Sequence, residues 1–223
     1  MTQQRRYRIG AIHALMNAIP TTQTAFDRNW SAADVAHLLD GSLYLDRSRG
    51  SADDAELGAR VDRLVKYSAS TGAEAIIVTG SFFGDMTKRA REGMDIPVMT
   101  SFDGIVERAF SLDRPLHVMS TAPDSSVLLS AEIEAEASRR SHPLSITRSA
   151  VDGALDALVG GDPARHDELV LDAVRAIDDG TAILFAQFSM ERILPGSAAA
   201  HPAPVVGPAS EGVLRLRELL TGR

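Results

Sequence analysis

Four short loops in this chain carry residues that could do chemistry. In the stretch IIVTGSFFG, an apolar run, Ile76-Ile77-Val78, opens into Thr79-Gly80-Ser81-Phe82. Hydroxyl donors beside a glycine suit the cradling of a small anion, because the backbone can approach closely there. Ser120-Thr121 and Gln187-Phe188-Ser189 follow two further apolar runs and offer the same kind of donors. His13, at the end of the first apolar run, is the leading titratable candidate, since an imidazole near its ordinary pKa suits proton transfer. The alternative for His13 is a ring that caps a helix or bonds a carbonyl. Gln187 is either an amide donor to a carboxylate or an amide bridging two loops. His37 and His117 lie in strand-like runs and read as structural, while His142, His166 and His201 read as surface or loop. Ser81 lacks a Gly-x-Ser-x-Gly setting and is not read as a nucleophile. There is no Gly-x-Gly-x-x-Gly and no Walker A pattern, which favours a small carboxylate over a nucleotide.

The elements that must position these loops alternate between strand and helix. Strands are expected at Tyr7–His13, Val35–Leu39, Ala75–Thr79, Ile96–Thr100, Leu116–Ser120, Leu144–Thr147 and Ala182–Ala186. A helix is expected over Asp53 to Thr71, with Leu57, Val61, Leu64 and Val65 on one stripe. Another should start at Asp162-Pro163, and a last one after Gly207-Pro208. Asp40, Ser42 and Asp46 are read as a loop after the second strand, and the run Glu132 to Glu136 as a solvated helix face. Such alternation implies a parallel sheet, which binds ligands beyond the carboxyl ends of its strands. The loops at His13-Ala14, Gly80-Ser81-Phe82, Ser120-Thr121 and Gln187-Phe188-Ser189 all qualify, with Gly80 and Ser81 expected at a helix N-terminus. Two segments also look alike. With a two-residue gap, Ile76 to Ser81 lies over Ile183 to Phe188, which suggests two related α/β halves.

Composition bounds the class. The chain has 223 residues, a formal net charge of −7 and 44% apolar residues, and carries no basic footprint for nucleic acid. No run is long enough for a membrane span, and MTQQRRYRIG leads into a strand pattern without a signal-peptide region, so a cytoplasmic location is the default expectation. The absence of cysteine removes disulfides, thiolate metal sites and thiol nucleophiles together. No His/Asp/Glu grouping has metal-ligand spacing on a helix face, so no metal is expected. A homodimer is suggested by symmetry statistics alone.

The chain resembles the aspartate/glutamate/hydantoin racemase superfamily, including its arylmalonate decarboxylase relatives. The resemblance rests on the order and spacing of IGAIHALMNAIP, GAEAIIVTGSFFG, IPVMTSFDGIVERA, VMSTAPDSS and AILFAQFSMERIL. It implies two flavodoxin-like parallel-sheet halves related by a pseudo-twofold, residues 1–100 plus 206–223 and residues 101–205, with the active site between them. The last helix, from about Pro208, is then expected to pack on the first half. It also implies a small carboxylic-acid ligand and no metal or organic cofactor. The racemases of the family use two thiols, one on each half, and those positions fall here at Gly80 and Gln187, which cannot serve as acid or base. The decarboxylase relatives have glycine at the first of these positions and protonate with the second thiol, so a different proton donor is needed here. The expectation is a racemase- or isomerase-like enzyme acting at the carbon alpha to a carboxylate, with His13 as the titratable group and Thr79, Gly80, Ser81, Phe82, Ser120, Thr121, Gln187, Phe188 and Ser189 around the ligand. The alternatives are a decarboxylase of a malonate-like acid and a small-carboxylate-binding protein without catalysis.

Overall fold

The computed structural model describes residues 5–222. The chain forms two compact units, one up to Gly104 and from Gly212 onward, the other Ile105–Glu211. In the first unit β1 (Tyr7–His13), β2 (Ala33–Leu39), β3 (Ala75–Val78) and β4 (Val98–Met99) make a parallel sheet in the order β2-β1-β3-β4. In the second, β5 (Leu116–Ser120), β6 (Ile146–Ala150), β7 (Ala182–Phe185) and β8 (Val205–Val206) make a parallel sheet in the order β6-β5-β7-β8. Central strands of parallel sheets are buried on both faces, and β3 and β7 are accordingly apolar throughout: Ala-Ile-Ile-Val and Ala-Ile-Leu-Phe.

The helices follow from local signals. Asp53 and Glu56 make a reciprocal capping box that starts α3 (Asp54–Ser70), whose Leu57, Val61 and Val65 pack with Ile12, Ile76 and Val78. Asp162 accepts from the Arg165 N–H and starts α8 (Pro163–Arg175), whose Val170 and Val174 pack with Met119, Ile183 and Phe185. The last helix, α10 (Pro208–Thr221), spans the boundary between the units. Its later half belongs to the first unit: a Cβ on Gly212 would lie 2.9 Å from Ile77 Cδ1, and Arg217 donates to the Asn29 carbonyl at 2.8 Å.

The two sheets share one register. Ile9 pairs with Ala75 and Ile12 with Val78; Leu116 pairs with Ala182 and Met119 with Phe185. Beyond the ladders, the Thr79 N–H donates to the Ile12 carbonyl at 2.8 Å and the Ala186 N–H to the Met119 carbonyl at 2.9 Å. A 3₁₀ turn then follows each strand, closed by Phe83 N–H to Gly80 carbonyl and by Met190 N–H to Gln187 carbonyl, both 3.1 Å. His13 is therefore equivalent to Ser120, Ala14 to Thr121 and Gly80 to Gln187. This is the alignment that the sequence segments suggest.

Several elements differ from the sequence reading. Strands β4 and β8 pair over two residues each, β4 being shorter than expected and β8 not foreseen as a strand. Both start just after a proline, Pro97 or Pro204, which accepts a ladder bond but has no N–H to donate. Strand β6 is displaced toward Ala150 relative to the expected Leu144–Thr147. Residues 41–49 are not a loop but α2 (Gly41–Arg49), started by Asp40 accepting from the Ser42 N–H at 2.9 Å and anchored by the buried Leu43. Gly80 and Ser81 do not open an α-helix: the 3₁₀ turn comes first, and α4 (Gly84–Ala90) has only seven residues. His166 is buried within α8, while His201 lies in a loop as expected but is buried there.

The helix after the fourth strand is capped differently in the two units. After β4, Thr100 Oγ1 accepts from the N–H groups of Phe102 and Asp103 at 3.2 and 3.1 Å and caps α5 (Asp103–Ser111). After β8, the equivalent residue is Gly207, and buried Glu191 reaches over to accept from the N–H groups of Ala209 and Ser210 at 3.2 and 3.0 Å. A Cβ on Gly207 would lie 2.1 Å from Glu191 Oε2, so only glycine leaves room for this cap. Burial and the nearby Glu191 charge push the Glu211 carboxyl up to about 7, against an opposing pull from Arg108 at 3.9 Å. Between its ordinary value of 4.5 and about 7, the folded chain holds a proton on Glu211 that the unfolded chain does not. The stability this supplies is present at low pH and lost as pH rises through about 7. Glu211→Gln, which mimics the protonated form, should match wild type near pH 4 and exceed its stability at pH 8 by up to about 3 kcal/mol. Urea unfolding across that range checks it, and a variant no more stable at pH 8 would contradict the assignment.

Candidate functional site

In the first unit, the carboxyl ends of β1 and β3 are joined through His13 and Thr79. The His13 ring is wholly buried, with Nδ1 2.9 Å from Thr79 Oγ1 and Nε2 2.9 Å from Nδ1 of His37 on β2. His37 Nε2 lies 3.0 Å from Gln23 Oε1 on α1 (Ala18–Asn29), and Gln23 Nε2 donates to Asp27 at 2.7 Å. Because the Gln23 amide nitrogen faces the Asp27 carboxylate, its oxygen faces His37 and can only accept. His37 must then carry its proton on Nε2, leaving Nδ1 to accept from the Nε2–H of His13. The Thr79 hydroxyl, which also lies 3.3 Å from the Ile12 carbonyl, then gives its proton to Nδ1 of His13, the nearer acceptor at 2.9 Å. Both rings are neutral in this arrangement. Burial, reinforced by His37, pushes His13 down to about 4, and burial also lowers His37.

Gly80 follows directly. Its φ of +103° lies in the region that favours glycine, and a Cβ there would stand 3.2 Å from the Phe83 ring. A side chain at this position is therefore strained as well as absent. Phe82 is partly exposed, with the Arg47 guanidinium 5.0 Å above its ring, while Ser81 is half-buried.

In the second unit the same two strand ends are joined one residue further on. Gln187 Oε1 accepts from the Thr121 N–H at 2.6 Å, the Thr121 hydroxyl at 3.0 Å and the Ala122 N–H at 3.2 Å. These donors stand at the start of α6 (Pro123–Arg140). They hold the oxygen of the carboxamide, so its Nε2 points the other way, with two N–H bonds and no hydrogen-bond partner among the described residues. Gln187 thus bridges two loops through its oxygen and offers an oriented amide donor through its nitrogen. Ser120 is wholly buried and donates to the Ala122 carbonyl at 2.7 Å, while Phe188 and Ser189 are half-buried in the 3₁₀ turn.

The structure therefore groups His13 with Thr79 and Gly80 in one unit, and Thr121 with Gln187 in the other. Sequence reasoning missed that His37 and Gln23 bond in series behind His13. It also missed Ser101, whose buried Oγ at the end of β4 has no partner among the described residues. Asp40 caps α2, and Asp46 pairs with Arg60 at 2.6 Å. Among the described residues no group of three or more His, Asp or Glu side chains could hold a metal ion, and no helix is long and apolar enough to cross a membrane.

Compared by sequence, the chain matches no family model and no curated protein. Its structure is similar to a glutamate racemase from Bacillus anthracis, 14% identical, at a TM-score of 0.72 over 98% of this chain and 83% of that one. The fold is that of the aspartate/glutamate racemases. An allantoin racemase from Klebsiella pneumoniae matches 96% of this chain and 87% of its own at 16% identity and a TM-score of 0.68. An arylmalonate decarboxylase matches 97% and 94% at 16% identity and a TM-score of 0.61.

Two measurements test the geometry. Between about 4 and its ordinary 6.5, His13 takes a proton in the unfolded chain but not in the folded one. Stability should fall as pH drops through that window, by on the order of 3 kcal/mol. Glu211 works in the opposite sense over an overlapping range, so the His13 contribution is read as the difference between wild type and His13→Gln in urea unfolding. An unchanged difference from pH 7 to pH 4 would remove the assignment. For the clamp, Gln187→Leu should cost about 1–3 kcal/mol by leaving the Thr121 and Ala122 N–H groups unpaired, while Gln187→Glu, which keeps the acceptor, should cost less. Equal losses in the two variants would show that the clamp does not order the loop.

Proposed function

We propose that the chain is a cofactor-independent enzyme of the racemase superfamily, acting at the carbon alpha to a carboxylate of a small acid without thiols. The observation that carries this reading is the Gln187 carboxamide, held by three donors at Oε1 so that its NH₂ points away from them, at a position that the resemblance aligns with one of the family's two thiols. An oriented neutral donor of this kind suits a substrate carboxylate, and suits it better as negative charge gathers there. Removing the Cα proton moves the electron pair onto the carboxylate as an enediolate. Return of a proton to either face completes racemisation. In the second unit Thr121 and Ser189 are assigned to binding beside Gln187, with Ser120 shaping the Thr121 loop and Phe188 as an apolar wall; in the first unit Thr79, Ser81, the backbone at Gly80 and Phe82 are assigned to binding. His13 enters as the titratable group through Thr79, the residue its Nδ1 is bonded to.

Gly80 favours one second reading, the decarboxylation of a malonate-like acid. There the bond between Cα and one carboxyl group breaks, CO₂ leaves, and the electron pair stays as the enediolate until Cα takes a proton. No base is needed on the Gly80 side, and the strain at φ +103° keeps that side free of a side chain.

The test is a panel of amino acids, hydantoins and arylmalonates, followed by Cα deuterium exchange, CO₂ release and calorimetric binding. At least one acid should exchange or lose CO₂. Gln187→Glu should weaken binding of that acid about ten-fold or more, because a carboxylate replaces the amide donor. Tight binding with neither reaction would identify a binding protein instead, and no binding of any small carboxylate would end the proposal.

A further inference from the structure

We infer that Thr79, His13, His37 and Gln23 form a proton relay that links the end of β3 to the outer edge of the first sheet. The inference rests on the proposed function for its use but not for its geometry. Each link is a hydrogen bond of 2.9 to 3.0 Å, and all point the same way once Asp27 has oriented Gln23. The chain begins at a wholly buried ring and ends at His37, half-buried on edge strand β2, beside half-buried Gln23. A buried ring cannot exchange protons with water directly, so any proton that reaches His13 must travel along its two bonds.

The step balances without another reactant. A proton taken up at Thr79 Oγ1 displaces the hydroxyl proton onto His13 Nδ1. The Nε2 proton of His13 moves to His37 Nδ1, which leaves His13 neutral and His37 as the imidazolium. Water at the half-exposed ring then removes the Nε2 proton of His37, because the Gln23 amide oxygen orients that proton but is too weak a base to keep it. The reverse sequence delivers a proton inward. The low pKa of His13 favours transit, since the charge is not retained at the buried ring. A site without cysteine needs such a path, because a proton removed from or added to carbon must be exchanged with solvent between turnovers.

The same side chains could serve only to fill space under α1, and His37→Gln separates the two roles. A glutamine oxygen can still accept from His13 Nε2–H and keep the contact, but it cannot pass the proton on. The wild-type protein, labelled with ¹⁵N histidine, should show both rings as the Nε2–H tautomer. The Nε2–H of His13 should exchange with water at least about ten-fold faster in wild type than in His37→Gln, with melting temperatures matched. Where an acid is turned over, the variant should lose about 100-fold in turnover, the lower end of general acid–base contributions, with KM little changed. Equal exchange rates, an Nδ1–H tautomer at either ring, or full turnover in the folded variant would overturn the relay. If no acid is turned over, the proposed function fails while the exchange measurement still decides the relay.

Discussion

The parallel ladder between the first and third strands of each sheet is the constraint on which the rest depends. It sets the carboxyl ends of β1 and β3 level with each other, and those of β5 and β7 likewise. Side chains 66 residues apart in the chain then come within hydrogen-bond reach, His13 with Thr79 in one unit and Thr121 with Gln187 in the other. The two ties are staggered by one residue, and successive strand residues face opposite ways. The first tie therefore runs beneath α1 as a buried polar chain, and the second fastens a strand-end loop to the start of α6. One register yields two kinds of tie because of this one-residue offset.

At the equivalent positions Gly80 and Gln187 the two units solve different problems. Gly80 has a backbone that disfavours any side chain, and the tie there is made by the residue before it. Gln187 uses its oxygen to satisfy two backbone N–H groups and a hydroxyl, which would be costly to leave unpaired. Neither residue titrates. The titratable group tied to the strand end before Gly80 is His13, and burial keeps its ring neutral through the neutral range.

Burial also sets the electrostatic character of the two units. The first keeps a pair of neutral imidazoles inside a network that leaves each ring nitrogen with a partner. The second keeps Glu191 and Glu211 close together at the start of α10, with Glu191 held by backbone N–H groups and the helix dipole. Acid works against the first arrangement and alkali against the second. The requirement that Gly207 stay bare follows from the same cap, because the carboxylate occupies the space where a Cβ would stand.

Much of the fold was legible in the chain, since its signals are local. The apolar runs ending at His13, Val78 and Phe185, the Asp53 and Asp162 caps, and the likeness of residues 76–81 to residues 183–188 together specify two α/β halves. The prolines at 97 and 204 carried a signal for short fourth strands that periodicity alone obscures. The absence of thiols at Gly80 and Gln187 could likewise be read directly. What the sequence could not say was how the polar residues pair. Gln23, His37 and His13 lie on three different elements, and Glu191 meets Ala209 and Ser210 only after β8 has turned the chain back. Composition determined which groups this protein has for chemistry. Tertiary structure alone decided which of them are buried, which are joined and which way their protons point, because desolvation and hydrogen-bond direction depend on neighbours that sequence distance does not reveal.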